Sequence, residues 1–291
     1  MAALPVRPVV TAAHPAGMRE GGSWHSHGPP PARMPLLPLR GPRGDAGDGE
    51  IHAALALGQV ELHYQPQIAV ATGRLIRFEA LLRWRHPRRG LLPPGLFLPA
   101  AEAGLAIHAL GDWVLRRAME DAACWPEEIG VAVNVSARQL DRGGLAEAVA
   151  SMLARSGLRP ARLEIELTET AALRDDSRAR TTIGALRALG AGLARDDFGT
   201  GYASLARLLD LRFDAVKIDR RFMAEAREND AVIASIVALA RALGIRVVAE
   251  GVETPAQLAR IRAHGCGEAQ GFLIGRAMPL VETLALIRAM R

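Results

Sequence analysis

Acidic and amide side chains stand near the ends of several apolar, strand-like runs of this sequence. Read along the chain, these positions are Glu79, Asn134, Glu166, Asp196 with Asp197, Lys217, Glu250 and Gln270. A single carboxylate after a strand means little, because helix N-caps favour Asp and turns favour both Asp and Asn. Four runs that end in a carboxylate, with an amide and a lysine on two others, are hard to explain by capping alone. We therefore predict that these side chains share one site.

Carboxylates dominate this predicted site, which has electrostatic consequences. The five acidic candidates are Glu79, Glu166, Asp196, Asp197 and Glu250. Like charges at close range raise one another's pKa, so the cluster needs cations to stay ionised. The candidates include no His or Cys, and an all-oxygen set suits Mg²⁺ or Mn²⁺ better than Zn²⁺. Adjacent carboxylates at Asp196 and Asp197 suit two ions ~4 Å apart, which can activate water against a phosphodiester. The residues alone thus predict a two-metal hydrolase and leave its substrate open.

The alternatives for single residues differ in strength. Lys217 lies between Val216 and Ile218, and burying an isolated lysine is costly unless it is paired, so a functional role is favoured. Asn134 taken alone could be an Asx-turn residue, and Asp196 with Asp197 could belong to a simple strand-to-turn connection. The presence of the other blocks favours the functional interpretation for all three.

Apolar strand-like runs alternate with runs of helical periodicity from Glu50 onward. The predicted strands are Glu61–Tyr64, Leu75–Leu81, Val131–Val135, Leu163–Leu167, Gly192–Asp196, Ala215–Ile218, Arg246–Ala249 and Gly271–Leu273. The clearest helical patterns are Leu110–Ala123, Ala146–Ser156, Ser177–Leu189, Ala231–Leu243 and Thr254–His264. Such alternation predicts an α/β fold with a parallel sheet, and this many units in one domain favours a closed β/α barrel. A doubly wound open sheet is the competing architecture. A barrel would place its chemistry at the C-terminal strand ends, where the polar residues stand.

The chain divides into two regions by composition. Residues 1–48 are crowded with Pro and Gly and predict a disordered tail, followed by the barrel domain at residues 49–291. No apolar run is long and charge-free enough for a membrane helix, and Pro and Arg interrupt the mildly apolar start. We therefore expect a cytoplasmic protein without a membrane segment.

The net charge and the aromatic content indicate which class of partner this chain could bind, and the cysteine content bears on disulfide bonds. The 291 residues carry a net charge of +5, which favours an anionic partner. Aromatic residues make up only 4% of the chain, and no dense basic stripe is interleaved with them, so a nucleic acid polymer is not indicated. Two cysteines, Cys124 and Cys266, give no disulfide framework.

The segment from Phe78 to Pro87, FEALLRWRHP, resembles the signature that gives the EAL family its name. Further matching blocks occur in order and at family-like spacing over about residues 51–291. They are Tyr64-Gln65-Pro66, Val133-Asn134-Val135-Ser136, Glu166-Leu167-Thr168-Glu169, Asp196-Asp197-Phe198-Gly199-Thr200-Gly201-Tyr202, Lys217-Ile218-Asp219, Ala249-Glu250-Gly251-Val252-Glu253-Thr254 and Gln270-Gly271-Phe272. The blocks are weak singly and highly specific together.

This resemblance implies a modified TIM-type β/α barrel that hydrolyses cyclic di-GMP to linear pGpG with two divalent cations, and it implies a homodimer. It also implies roles for individual residues. Glu79, Asn134, Glu166 and Asp196 match the ligands of one metal ion, and Asp196 with Asp197 matches those of the second. Glu250 matches a metal ligand or general base, and Lys217 matches the residue that holds the attacking water.

The remaining matches concern the substrate and the supporting residues. Gln65 and Arg83 match positions near the phosphates and guanines. Glu253, Gln270 and Asp219 match positions that contact substrate or support the ligands, and we count Glu253 among the catalytic residues. Glu169 matches the anchor of the loop that starts at Asp196, which in the family helps to form the dimer interface.

Three positions depart from the family pattern. Arg77 stands where Gly is frequent, Arg195 where an aliphatic residue is usual, and Ala277 where Pro is common. An alternative function is a receptor that binds cyclic di-GMP with little or no cleavage and acts through protein contacts. A domain that works only through protein contacts is a third possibility. Lost metal ligands would favour these alternatives, and since every matching position is retained we prefer the enzyme.

Overall fold

The computed structural model describes residues 47–168, 177–199, 210–224 and 227–290. Residues 1–46 of the predicted tail and the predicted loop anchor Glu169 lie outside these ranges. The strands are β1 (Val60–Ala69), β2 (Leu75–His86), β3 (Gly90–Leu92), β4 (Gly130–Val135), β5 (Leu163–Leu167), β6 (Gly192–Phe198), β7 (Ala215–Ile218), β8 (Arg246–Ala249), β9 (Glu268–Gln270) and β10 (Met278–Pro279).

Helices fill most of the intervals between the strands. The α-helices are α1 (Asp48–Ala56), α2 (Leu98–Ala103), α3 (Ala106–Ala123), α4 (Ala137–Asp141), α5 (Leu145–Ser156), α6 (Ser177–Ala188), α7 (Arg227–Leu243), α8 (Pro255–His264) and α9 (Leu280–Ala289). Short 3-10 helices span Pro94–Leu96, Pro160–Arg162 and Arg220–Met223. Within the part of the chain that the structure describes, no helix combines the length and apolar character needed to cross a bilayer.

Eight strands form a closed ring in the order β1, β9, β8, β7, β6, β5, β4, β2, with β2 returning to β1. All pairings from β2 through β4 to β9 are parallel, whereas β1 runs antiparallel to both of its neighbours in the ring. The short strands β3 and β10 pair antiparallel with β2 and β1 outside the ring. The predicted modified β/α barrel is confirmed, and the competing open sheet is wrong.

Strand alternation separates the helical core from the barrel interior. In β5, Leu163, Ile165 and Leu167 belong to the main hydrophobic core, while Glu164 and Glu166 between them are buried and make ion pairs. Successive side chains of a strand point to opposite faces, so one five-residue strand serves both layers. The interior of this barrel is therefore unusually polar.

Two features fill the barrel below its polar upper end. Ala194, Ala215 and Val248 form a small apolar cluster of their own. Near the N-terminal strand ends lies a buried set of charges that we call the lower ion cluster. Its members are Arg77, Glu164, Arg246 and Glu268, with Arg77 Nη1 3.0 Å from Glu268 and Arg77 Nη2 3.4 Å from Glu164.

The two unusual arginines lie in different layers. Arg77 lies two residues before Glu79 on β2 and shares its inward face, where it joins the lower ion cluster. Arg195 pairs in register with Leu167 and Val216 and so faces the helical layer. Its side chain is only 1% exposed and therefore does not reach solvent; its guanidinium carbon lies 5.1 Å from the ring centroid of Phe198.

The strand predicted at Gly271–Leu273 is wrong, because β9 covers Glu268–Gln270 instead. Gly271 lies so close to the backbone of Val252 that a Cβ atom would come within 2.2 Å of the Val252 N and O atoms. The chain leaves the sheet at this glycine, and Leu273 N donates to Val252 O at 3.0 Å. The apolar residues after Gly271 therefore follow the last strand of the ring.

Candidate metal centre

A cavity of about 300 Å³ opens at the end of the barrel where the parallel strands terminate. It brings together residues from β1, β2, β6 and β9 and from the loop after β8. Its lining residues are Gln65, Glu79, Leu81, Asp196, Arg220, Glu250, Gly251, Glu253, Gln270, Gly271 and Phe272. Six of the predicted site residues thus line a single cavity.

Lys217 is 1% exposed and lies against three of the acidic residues that line this cavity. Its Nζ atom is 2.7 Å from Glu250, 2.8 Å from Glu166, 3.4 Å from Glu79 and 3.5 Å from Asp196. The four carboxylates come from different strands or the loop that follows one, so only the closed barrel brings them together. A buried ammonium group compensates part of their charge.

A break in strand alternation brings the adjacent acids Asp196 and Asp197 to the same site. Regular alternation would send their side chains to opposite faces of β6. Asp197 has a φ of 53°, and the β6–β7 register shifts between Arg195 and Phe198. One ligand oxygen from each of Asp196, Asp197 and Glu250 lies within 4.8 Å of the others. This irregularity creates the acidic group that could hold a metal ion.

Amide side chains fix the carboxylate of Glu79 from two sides. Asn134 Nδ2 donates to Glu79 Oε1 at 2.7 Å, and Gln270 Nε2 donates to Glu79 Oε2 at 2.6 Å. The same Gln270 nitrogen donates to Gln65 Oε1 at 3.0 Å. Glu79 is therefore buried but fully hydrogen-bonded, which orients it before any ligand arrives.

The crowded carboxylates do not share one ionisation behaviour. Burial, reinforced by the negative charges of Asp196 and Glu79, raises the pKa of Glu250 to about 8. Burial and the charge of Glu79 also raise the pKa of Glu166 well above its usual range. Burial opposes ionisation of Glu79 as well, but Lys217 and the two amides outweigh it and lower the pKa of Glu79.

Asp197 and Lys217 respond to the same surroundings. Burial, the charge of Asp196 and a hydrogen bond with Asp219 raise the pKa of Asp197 to about 6. Burial alone would lower the pKa of Lys217, yet Glu166, Glu250 and the other carboxylates raise it well above its usual range. Acidic groups whose pKa is raised by burial and by neighbouring carboxylates are the groups that a divalent cation would stabilise in ionised form.

The donor set fits a hard divalent cation. Carboxylate oxygens of Glu79, Glu166, Asp196, Asp197 and Glu250 surround the site, and Asn134 adds an amide. Oxygen-only sites suit Mg²⁺ or Mn²⁺ better than ions that favour nitrogen or sulfur. Burial and the neighbouring carboxylates raise the pKa of Glu250 and of Asp197 despite the nearby Lys217, so a bound cation would favour the ionised form of both.

We expect the metal-free protein to lose stability as the pH rises from about 5.5 to about 8. The pKa of Glu250 and of Asp197 is raised in the folded state, so folding binds protons, and that contribution is lost as the pH passes the folded-state values. Thermal unfolding with a chelator should show the midpoint falling across this range. Saturating Mn²⁺ should flatten the profile because the ion replaces the protons. A midpoint that rises with pH in chelator would contradict the raised values.

The other predicted residues lie at varying distance from this centre. Glu253 lines the cavity mouth, and Asp219 begins the 3-10 helix Arg220–Met223, where its Oδ1 accepts from Arg221 N at 2.7 Å. Arg83 is not among the lining residues; its Nη1 donates to Leu82 O at 2.8 Å. Glu169 lies outside the described residues. Arg220 was not predicted, although a basic residue directly after a strand-end motif is a usable signal for an anionic ligand.

Phe272 is a second lining residue to which the sequence assigned no role. Its side chain is 52% exposed at the cavity mouth, and the guanidinium carbon of Arg276 lies 4.1 Å from its ring centroid. Large exposed aromatic side chains beside a cavity often provide contact area for a ligand. Its position after Gly271, outside the strand, was the missing information.

The model of the EAL domain family matches residues 48–277 of this chain. Among curated proteins, the chain is 43% identical over 245 residues to the Pseudomonas aeruginosa protein named bifunctional diguanylate cyclase/cyclic di-GMP phosphodiesterase MucR, covering 82% of this chain and 36% of that protein. It is 45% identical over 249 residues to the cyclic di-GMP phosphodiesterase NbdA of the same organism, covering 83% of this chain and 32% of NbdA. The chain thus spans about a third of the length of these relatives.

A solved structure of the PaMucR phosphodiesterase in complex with c-di-GMP superposes with a TM-score of 0.77. The two chains are 42% identical, and the match covers 81% of this chain and 98% of that one. The similarity therefore extends over most of this chain.

Proposed function

This chain belongs to the EAL domain family, and from that premise we propose that it is a metal-dependent phosphodiesterase that hydrolyses cyclic di-GMP to linear pGpG. The observation that carries the proposal is the convergence of Glu79, Glu166, Asp196 and Glu250 on the buried Lys217. Relatives named cyclic di-GMP phosphodiesterases support the substrate. A chain that had lost its activity would not be expected to keep every member of this costly set.

The acidic side chains would hold two divalent cations, with Glu79, Asn134, Glu166 and Asp196 serving one and Asp196 with Asp197 serving the other. When bound, such ions lower the pKa of a water molecule and offset charge on the phosphate. The donor chemistry favours Mg²⁺ or Mn²⁺.

The chain's own residues have separable tasks in this reaction. Glu250 lines the cavity and its Oε1 lies 2.7 Å from Lys217 Nζ, a position from which its carboxylate can accept a proton from the attacking water. Lys217 compensates negative charge that builds up during attack on phosphorus. The new bond joins the water oxygen to phosphorus, and the ester bond breaks with a proton delivered to the leaving oxygen. Glu253 lines the mouth of the cavity and contributes to catalysis from the side that faces solvent.

Substrate contacts are assigned to the rim of the cavity. Gln65 and Gln270 lie beside Glu79 and can reach phosphate oxygens, and Arg220 contributes a positive charge there. We assign Arg83 to a contact with a more distant part of the dinucleotide, because cyclic di-GMP would extend beyond the group of acidic residues. Asp219 and Glu169 act indirectly, by supporting Asp197 and the loop that follows Asp196.

The deciding experiment is incubation of purified protein with cyclic di-GMP and either Mg²⁺ or Mn²⁺, followed by chromatography against authentic pGpG. We expect product with metal and no product with excess chelator. Binding of cyclic di-GMP without product, in folded protein with either metal, would instead support the receptor alternative. If the protein neither binds nor hydrolyses cyclic di-GMP, the remaining alternative is a role in protein contacts.

The homodimer remains part of this proposal. The resemblance to the family supports an interface at the loop that starts at Asp196, and residues 200–209 of that loop lie outside the described ranges. Light scattering of the purified protein would give the mass, with a dimer expected. If the protein is a monomer and still hydrolyses the substrate, the proposed dimer interface is wrong and the assignment of the site is unaffected.

A further inference from the structure

A directed chain of hydrogen bonds connects the lower ion cluster to the metal centre through the barrel interior. Arg77 Nη1 donates to Gln67 Oε1 at 3.2 Å, and Gln67 Nε2 donates to Gln270 Oε1 at 2.7 Å. Gln270 Nε2 then donates to Glu79 Oε2 at 2.6 Å. The two glutamines are 0% and 5% exposed, so water does not compete for these bonds.

Only one orientation of the two amides satisfies this chain. A guanidinium group has donors and no acceptor, and an ionised carboxylate has acceptors and no donor. The amide oxygen of Gln67 must therefore face Arg77, which turns its NH₂ group toward Gln270. The NH₂ group of Gln270 is in turn directed at Glu79. Reversing either amide would set two donors or two acceptors against each other in a dry interior.

We infer that Arg77 is a positioning residue for the metal ligand Glu79, acting through Gln67 and Gln270; this inference rests on the proposed function. Arg77 stands 15% exposed between Glu164 and Glu268, which hold its guanidinium group in place. Cross-strand register supports the relay, since Gln67 lies opposite Arg77 on one side and opposite Gln270 on the other.

The lower ion cluster contains a matched control. Arg246 binds the same two carboxylates as Arg77, with Nη1 2.7 Å from Glu268 Oε1 and Nη2 bonded to Glu164. Among the described residues, its side-chain hydrogen bonds go to these two carboxylates and not to Gln67 or Gln270. Replacing Arg246 disturbs the same two carboxylates and leaves the hydrogen bonds of the relay in place.

The test compares Arg77→Met, Gln67→Met and Arg246→Met by calorimetric titration with Mn²⁺ in the absence of substrate. Loss of residues that orient a ligand weakens metal binding by about tenfold or more, and we expect this for Arg77→Met and Gln67→Met. Arg246→Met should stay within about twofold of the wild type.

The double variant Arg77→Met/Gln67→Met separates a relay from two unrelated effects. If the residues act in series, the double variant binds Mn²⁺ about as weakly as Gln67→Met alone. Independent effects would multiply to about a hundredfold loss and would overturn the inference. Equal losses in Arg77→Met and Arg246→Met would also overturn it, because they would indicate a general effect of the ion cluster.

Two further comparisons separate a failure of this inference from misfolding and from a failure of the proposed function. Gln67→Met removes no charge, so it tests the relay even if Arg77→Met fails to fold. A wild-type protein that binds Mn²⁺ but does not hydrolyse cyclic di-GMP would refute the proposed function alone. The binding titrations would then still decide the role of Arg77.

Discussion

Lys217→Met should leave the metal-free protein about 3–5 kcal/mol less stable at pH 8, because removing one partner strands buried charge. Glu79, Glu166, Asp196 and Glu250 all lie within 3.5 Å of the lysine Nζ, and all would lose this compensation together. Hydrolysis of cyclic di-GMP should fall by about 10²–10³, the usual effect of deleting one preorganised electrostatic group. Urea unfolding with a chelator and turnover at saturating Mn²⁺ measure the two effects.

The same variant provides its own control for charge repulsion. At about pH 5.5, Glu250 is largely protonated because burial and its neighbours raise its pKa to about 8, so the loss of stability should be smaller there. Mn²⁺ should stabilise Lys217→Met by more than it stabilises the wild type. A free energy of unfolding equal to that of the wild type in chelator at pH 8 would show that Lys217 does not compensate these acids.

Glu79→Ala should abolish turnover and weaken Mn²⁺ binding by at least the roughly 10–100-fold that the loss of an orienting contact alone costs, because it removes a proposed ligand. The substitution removes a carboxylate that both Asn134 and Gln270 hold, so those amides also lose their shared acceptor. Turnover is measured by pGpG formation and binding by Mn²⁺ titration. Near-normal rates would refute the assignment of the site.

A suitable control is Glu61→Ala. Glu61 lies on β1, where it pairs in register with Arg83 and forms an exposed ion pair with Arg85 at 2.8 Å. Exposed pairs of this kind contribute about 0–1 kcal/mol, so activity and metal affinity should match the wild type. A comparable loss in Glu61→Ala would indicate a general effect of removing charge from this sheet.

Most strands of the ring could be predicted from the sequence, because short apolar runs alternate with runs of helical periodicity. In β5, Leu163, Ile165 and Leu167 alternate with Glu164 and Glu166, and the strand has the predicted bounds. Gln270 was correctly expected near a strand end, yet it is the last residue of β9, and no strand begins at Gly271. Periodicity cannot detect that Gly271 lies against the backbone of Val252, since this contact depends on a distant part of the chain.

The directions of the side chains near the metal centre were harder to predict from the sequence than the strands. Alternation counted from Asp196 would place Asp197 on the opposite face, and the left-handed backbone at Asp197 changes this. Arg77 and Arg195 were both noted as unusual, but their surroundings come from other strands. Arg77 meets Gln67, Glu164 and Glu268 only after the barrel has closed, so no local pattern could have predicted its partners.

The antiparallel strand β1 has a consequence for the order in which the protein is made. Gln67 on β1 and Gln270 on β9 are 203 residues apart in the chain, and their pairing closes the ring. Until the ribosome has released β9, the emerging sheet has two open edges, and exposed strand edges can recruit other chains. Long-range pairing of this kind is also slow. The emergence of β9 from the ribosome therefore both brings Gln270 to the acidic residues and ends the period in which the ring has open edges.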